Sequence, residues 1–330
     1  MRDLKKLAVF LSITISMLGI VPANANSVSE DVAPTVAIID TAFNASLFGD
    51  SVVGEVCITA GGGCNNRTGF EIGSGSSGAN IVVKPRDLEN WNHGNLMAKT
   101  ILESNPDAKL LLIRNAKVYG NAVLSGTEKD LSVALSWIES NADVYNVVAV
   151  SVSRGSHSYV SENKIAASLA GSIKIYEGMV SRLKATKANP RTIAPLEKTL
   201  NDFKTKLASL PMATCPNTND IKSKITSLQN LEIATIVATG NDADKTYVDY
   251  PACIEEAVSV TAHNGNSIIY VGNVSTATDF ASQAITTSEA TAKLAGLWSL
   301  VYDGSYNSTY DILKKSGNKS GNTVLVPNSF

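Results

Sequence analysis

The chain has 330 residues, 44% of them hydrophobic, with 28 Lys plus Arg against 30 Asp plus Glu and a formal net charge of −2. That apolar content supports a sizeable buried core. The near-neutral balance excludes a general polyanion binder or a charged-membrane binder, so neither nucleic acid nor a lipid surface is expected as partner.

At the start of the chain, Arg2, Lys5 and Lys6 precede an apolar run over residues 7–21, and Ala23, Asn24 and Ala25 offer a small-x-small cleavage site. This predicts a secretory signal over residues 1–25 and a mature domain over 26–330. The run is shorter than the ~20 residues that span a bilayer. No stable membrane association is therefore expected after cleavage, and the mature chain is expected to be secreted or periplasmic. Four cysteines, Cys57, Cys64, Cys215 and Cys253, then suggest two disulfides among three pairings. Cys57 and Cys64 bracket a Gly-rich turn, which favours that pair, and Cys215–Cys253 follows by elimination. A zinc site lacks both CxxC spacing and a nearby His.

The first buried strand is TVAIID at 35–40, an apolar run ending in Asp40. Residues 54–80, rich in Gly, Ser and Asn, read as one long loop. Helical spacing follows at 94–104, a strand at 109–113, an amphipathic helix at 128–141 and a third strand at 144–152. Residues 158–230 read as an inserted helical hairpin broken at Asn189-Pro190. Between 164 and 228 there are eleven Lys or Arg and four Asp or Glu, so this insertion is basic, a feature expected of a solvated face. Strands at 231–238 and 257–262 and a helix at 286–301 restore the alternation. The expected fold is α/β, with a mostly parallel, doubly wound sheet covered on both faces. Sites in such sheets lie off the carboxyl ends of the strands, where Asp40 and Asn241 fall.

Three segments carry the chemistry: VAIIDT at 36–41, NHGNLMA at 92–98 and TTSEATAKLAG at 286–296. In order, they resemble the Asp, His and Ser blocks of the subtilisin-like serine peptidases (peptidase S8). Between them, VVAVSV at 147–152 is similar to that family's substrate-binding strand, and IVATGN at 236–241 to the strand ending in its oxyanion-hole Asn. YPA at 250–252 with AVSVTA at 257–262 resembles the turn and strand that follow. The cysteine positions match a bacterial branch of the family. The resemblance spans about residues 34–300 apart from the insertion.

It implies a subtilisin-like three-layer fold and a secreted serine endopeptidase acting through an acyl-enzyme, with a peptide or protein as substrate. Ser288 would be the nucleophile, His93 the general base and Asp40 its orienting carboxylate. Asn241 and the Ser288 backbone N–H would form the oxyanion hole. Ser151, Val152, Ser153, Arg154 and Gly155, facing Ala238, Thr239 and Gly240, would bind substrate as an added strand. The other two histidines, His157 and His263, read as solvent-facing loop residues. No cofactor is expected, and a structural calcium, which the sequence leaves open, is not indicated, because no carboxylate run has calcium-loop spacing.

Taken singly, each residue has a plainer role: Asp40 a strand-end cap, Ser288 a helix N-cap, Asn241 a turn. The chain also departs from the family pattern. Ala42 stands where Gly is usual, Thr286 and Ala292 replace the Gly and Pro of the Ser block, and Ser153 and Arg154 replace two glycines. Ser153 and Arg154 suggest a restricted, small-to-medium P1 preference. Asp40 follows Ala25 by only fifteen positions (40 − 25), leaving no room for a folding propeptide. These departures keep two alternatives in view: a catalytically impaired pseudopeptidase that binds rather than cleaves, and a specialised processing peptidase.

Overall fold

The computed structural model describes residues 33–330, apart from 60, 80–91, 120–121, 156–163, 210–214, 216–218, 245–246 and 329. The expected signal over 1–25 and His157 lie outside the described residues.

The apolar runs form the middle of the sheet. β1 (Thr35–Asp40) pairs in parallel with β4 (Lys109–Arg114) on one side and β7 (Val147–Val152) on the other. β7 leads on to β8 (Ala234–Ala238) and β9 (Val258–His263), also in parallel. Further out lie β10 (Phe280–Gln283), β12 (Thr323–Leu325) and antiparallel β11 (Asn318–Ser320). The opposite flank holds β2 (Val52–Ile58) and antiparallel β3 (Phe70–Ile72). The order across this ten-stranded sheet is β11-β12-β10-β9-β8-β7-β1-β4-β2-β3. A separate antiparallel pair joins β5 (Ala116–Tyr119) to β6 (Ala122–Ser125).

Successive side chains on a strand point to opposite faces, and here both faces are buried. Val36 and Ile38 of β1 pack with Met97, Ala98 and Ile101 of α1 (His93–Ser104) and with Leu294, Leu297 and Trp298 of α6 (Thr287–Val301). Ala37 and Ile39 face the other layer. There they meet Leu131, Leu135 and Ile138 of α2 (Glu128–Tyr145) and Ile221, Ile225 and Leu228 of α5 (Asn219–Asn230). Gly296 lets α6 approach α1, since a Cβ there would lie 2.6 Å from the Ile101 carbonyl oxygen. The remaining described helices are α3 (Lys164–Ala185), α4 (Pro190–Ala208) and α7 (Tyr306–Ser316). This is the α/β architecture, mostly parallel and covered on both sides, that the sequence predicts.

Several expected boundaries are corrected. Residues 54–80 are not one loop, because Val52–Ile58 adds to the sheet beside β4 and Phe70–Ile72 pairs with it. The third strand begins at Val147, not Val144. Val144 belongs to α2, which ends where Asn146 takes a left-handed conformation (φ 49°) and returns the chain to β7. Within the segment read as an inserted hairpin, α5 packs into the main core beside α2. α3 and α4 make the hairpin proper. They are held by an edge-on contact of Tyr176 with Phe203 at 5.4 Å and by the ion pairs Lys184–Glu197 and Lys204–Glu177, each 2.7 Å. Both disulfides are present: Cys57–Cys64 (Cα–Cα 5.8 Å) beside β2 and Cys215–Cys253 (5.6 Å).

Candidate active site

Asp40 ends β1 and His93 begins α1, 53 positions later. His93 Nδ1 lies 2.8 Å from Asp40 Oδ1 and 3.0 Å from Oδ2. Asp40 is fixed from three directions. The Thr41 N–H donates to its Oδ1 at 2.6 Å, and the Asn115 N–H to its carbonyl at 2.7 Å. Thr41 Oγ1 in turn accepts the Gly94 N–H at 3.0 Å, tying the strand end to the first turn of α1. Gly94 is required there, because a Cβ would lie 2.9 Å from the Ala42 carbonyl oxygen and from Phe43.

Burial lowers the His93 pKa, but the Asp40 hydrogen bond, the Asp40 charge and the Glu289 charge together outweigh it and leave the value above the usual 6.5. The carboxylate side chain is 3% exposed and the imidazole 31%, so the acid is buried and the ring reaches the cleft.

The Ser288 segment is organised by the start of α6. Thr286 is its N-cap and accepts the Glu289 N–H through Oγ1 at 3.2 Å. The Thr287 N–H donates to Asn241 Oδ1 at 3.1 Å. Among the described residues no protein acceptor takes the Ser288 N–H between them. With Oδ1 of Asn241 occupied as an acceptor, its Nδ2 is the end left to donate. Two donors thus remain beside Ser288, at a helix N-terminus whose dipole favours negative charge. Ser288 itself is half-buried, and no hydrogen bond joins its hydroxyl to His93 Nε2.

Two strips flank Ser288. On one side β7 runs out into Ser153, Arg154 and Gly155. Ser151 and Val152 are still inside β7, buried and paired with β1 and β8, and Ser153 is the first residue past the strand. Ser153 Oγ donates to the Ser288 carbonyl at 3.3 Å. Arg154 turns to the Thr127 carbonyl (3.1 Å) and Asn115 Oδ1 (3.5 Å). On the other side Ala238 ends β8, and Thr239 and Gly240 lead to Asn241.

Sequence reasoning missed the residue that shapes this second strip. Asn273 is buried, and its Oδ1 accepts the N–H groups of Asp242 (2.9 Å) and Asp244 (3.0 Å). Its carbonyl accepts Thr239 Oγ1 at 2.7 Å. Only its place in Gly272-Asn273, a turn dipeptide, could have drawn notice. His263 is a second correction. It is 5% exposed, accepts the Gly265 N–H at Nδ1 (2.9 Å) and bonds the Val326 carbonyl through Nε2 (3.3 Å), so it is a core histidine and not a solvent-facing one.

Residues 31–325 match the sequence profile of the Subtilase family, Peptidase_S8. The chain belongs to the subtilase family. A subtilase is a serine-type endopeptidase, and its substrates are peptides or proteins. Solved structures agree in fold. A protease of Pseudoalteromonas arctica PAMC 21717 superposes with a TM-score of 0.58 at 14% identity, covering 91% of this chain and 90% of that one. The protease domain of PatA, solved as a serine-to-alanine mutant, gives 0.56 at 9% identity, covering 91% and 95%. The prenylagaramide maturation protease PagA gives 0.50 at 14%, covering 88% and 85%. A search of curated protein sequences finds no match. Among the described residues of this subtilase, no cluster of three or more His, Cys, Asp or Glu could hold a metal ion, and no helix is long and apolar enough to cross a membrane.

Proposed function

We propose that this subtilase is an exported endopeptidase that cleaves peptide bonds through an acyl-enzyme on Ser288. The observation that carries the reading is the bond from His93 Nδ1 to both Asp40 oxygens, at 2.8 and 3.0 Å. That bond fixes the tautomer with hydrogen on Nδ1 and leaves Nε2 as the basic nitrogen. As Ser288 Oγ attacks the substrate carbonyl, Nε2 takes its proton, and Asp40 stabilises the imidazolium that forms. Charge moves to the carbonyl oxygen, where Asn241 Nδ2 and the Ser288 N–H donate to it. Collapse breaks the C–N bond, and the amine leaves with the proton from Nε2. Water, deprotonated by the same nitrogen, then releases the acyl group. The hydroxyl–imidazole contact is made when substrate closes the cleft, as apo sites commonly show looser geometry.

Export is supported by the signal-like residues 1–25 and by the two disulfides, which persist in oxidising compartments.

A fluorophosphonate probe tests the chemistry. Label is expected on Ser288 in the mature protein, and none on Ser288→Ala with its fold preserved by circular dichroism. Label on a different serine, or none on the wild type, would overturn the reading and favour a pseudopeptidase.

A further inference from the structure

We infer that the α3–α4 hairpin is a capture arm whose cations hold acidic segments of protein substrates beside the cleft. The inference rests on the reading of the chain as an endopeptidase acting through Ser288.

The net charge of −2 hides a split. Residues 164–208 contain nine Lys or Arg and three Asp or Glu, a balance of +6, so the rest of the chain carries −8 (−2 − 6). Two of those three acids are committed inside the hairpin, Glu177 to Lys204 and Glu197 to Lys184, each at 2.7 Å. Lys174, Arg182, Lys187, Arg191, Lys198 and Lys206 are exposed, and among the described residues no acid pairs with them. The surplus is densest at the tip, where residues 178–196 hold four cations and no acid. Lys187 turns the chain there in a left-handed conformation (φ 52°). Like charges crowded on one turn repel each other and do nothing for the fold, and an anionic partner relieves that repulsion.

Both ends of the hairpin are rooted at the cleft. The chain leaves from Gly155, at the end of the strip beside Ser288, and α3 begins nine positions later (164 − 155). Past α4 the chain is stapled back by Cys215–Cys253. The two anchor points meet at one residue. A Cβ on Gly155 would lie 2.6 Å from Asp249 Cβ, and the Cys253 N–H donates to the Asp249 carbonyl at 3.2 Å. The 22 residues of α3 make an arm about 33 Å long, with Lys174 about 15 Å along it and Lys187 at its end. A substrate held on the arm is tethered near Ser288, which raises its local concentration without any contact at the scissile residues.

The occupant is a polypeptide and not a lipid surface. The aromatic rings of the hairpin, Tyr176 and Phe203, are turned against each other at 5.4 Å, so neither is presented as an interface anchor. Its exposed large apolar side chains, Ile175 and Met179, lie midway along α3 and short of the charged tip.

The test uses the mature protein and quenched substrates that share one cleavable sequence. They differ in a tail of about eight Glu, Gln or Lys residues, placed at the amino end in one set and the carboxyl end in another. A Gly-Ser linker of about 15 residues, with a span of about 20 Å, joins tail to site. In at least one set the Glu tail is expected to lower KM about tenfold relative to Gln at equal kcat, and the gap should close in about 0.5 M salt. The combined variant Arg182→Gln, Lys187→Gln, Arg191→Gln, Lys198→Gln changes only exposed side chains. It should cut the Gln-tailed substrate as the wild type does and lose the Glu-tail advantage. Equal KM for Glu and Gln tails in both sets overturns the inference, and so does an advantage that survives in the variant. Binding to phosphatidylserine vesicles that the variant loses, with no tail preference, would assign the arm to lipid and overturn it as well. In each of these cases fluorophosphonate label on Ser288 leaves the peptidase reading standing. If Ser288 does not label and no substrate is cut, both fall.

Discussion

Asn241 accepts the Thr287 N–H through Oδ1 at 3.1 Å, so the amide is oriented by the same helix turn that carries Ser288. The proposed donor and the proposed nucleophile are set by one contact and move together. Asn241→Ala should therefore lower kcat by about 10²–10³ with little change in KM, because the lost bond forms only as charge develops. Steady-state kinetics on a single peptide separates the two parameters, and a rise in KM at constant kcat would assign Asn241 to ground-state binding.

The Asp40–His93 pair gives the pH dependence. Its net effect raises the His93 pKa above 6.5, so kcat/KM should rise with pH through a midpoint above that value as the imidazole becomes neutral. Asp40→Asn should lower the midpoint and reduce kcat by about 10⁴. For stability the sign is opposite. The pair stabilises the fold fully below about pH 6.5, and that contribution is lost as pH rises through the native His93 pKa. Thermal melts across the same pH range check it, the Asp40→Asn variant showing the smaller decline.

Glu289 follows Ser288, the proposed nucleophile, and its charge acts on His93. Its Oε2 accepts the Ile285 N–H at 3.2 Å, a bond that glutamine can keep. Glu289→Gln is expected to shift the kcat/KM midpoint down while plateau kcat stays within about tenfold, a modest change for a side chain outside the proton-transfer chain. An unchanged pH profile would show that solvent screens this charge.

The two disulfides should differ in weight. They close sequence separations of 7 and 38 residues. Loop-closure entropy assigns about 2 kcal/mol to Cys57–Cys64 and about 4 kcal/mol to Cys215–Cys253. Serine pairs at each site, compared by denaturant unfolding, should show the second loss as the larger. Equal losses would place the effect in native packing around Cys57.

Much of the architecture was legible because its central strands contain unbroken apolar runs, such as 36–39 and 110–113. Val52–Ile58 was not, because Gly54 and Glu55 interrupt its pattern. Gly54 is there for packing, since a Cβ would lie 2.8 Å from Leu111 and Tyr145. The Asp40 and His93 assignments rested on blocks of sequence with their own pattern. Asp249 and Asn273 carry no such pattern. Their place beside Gly240 arises from a chain return, the Asp249 N–H on the Thr239 carbonyl, which no periodicity encodes. Ser153 and Arg154 were read as restricting the P1 preference; the partners they take, the Ser288 carbonyl and the Thr127 carbonyl, come from tertiary contacts that the sequence does not display.

The seam between α1 and α6 has a consequence in time. Asn105 Nδ2 donates to Ser299 Oγ at 3.0 Å across 194 residues of chain, next to the close approach at Gly296. Contacts that distant form late, since closing so long a loop costs entropy before any packing gain arrives. A chain emerging in order presents β1 and α1 well before α6. Until α6 docks, Asp40 and His93 have no Ser288 beside them, and the apolar face of β1 has not received Trp298. With Ser288 as the proposed nucleophile, nascent and truncated chains are chemically silent, a delay in activity written into the order of the elements.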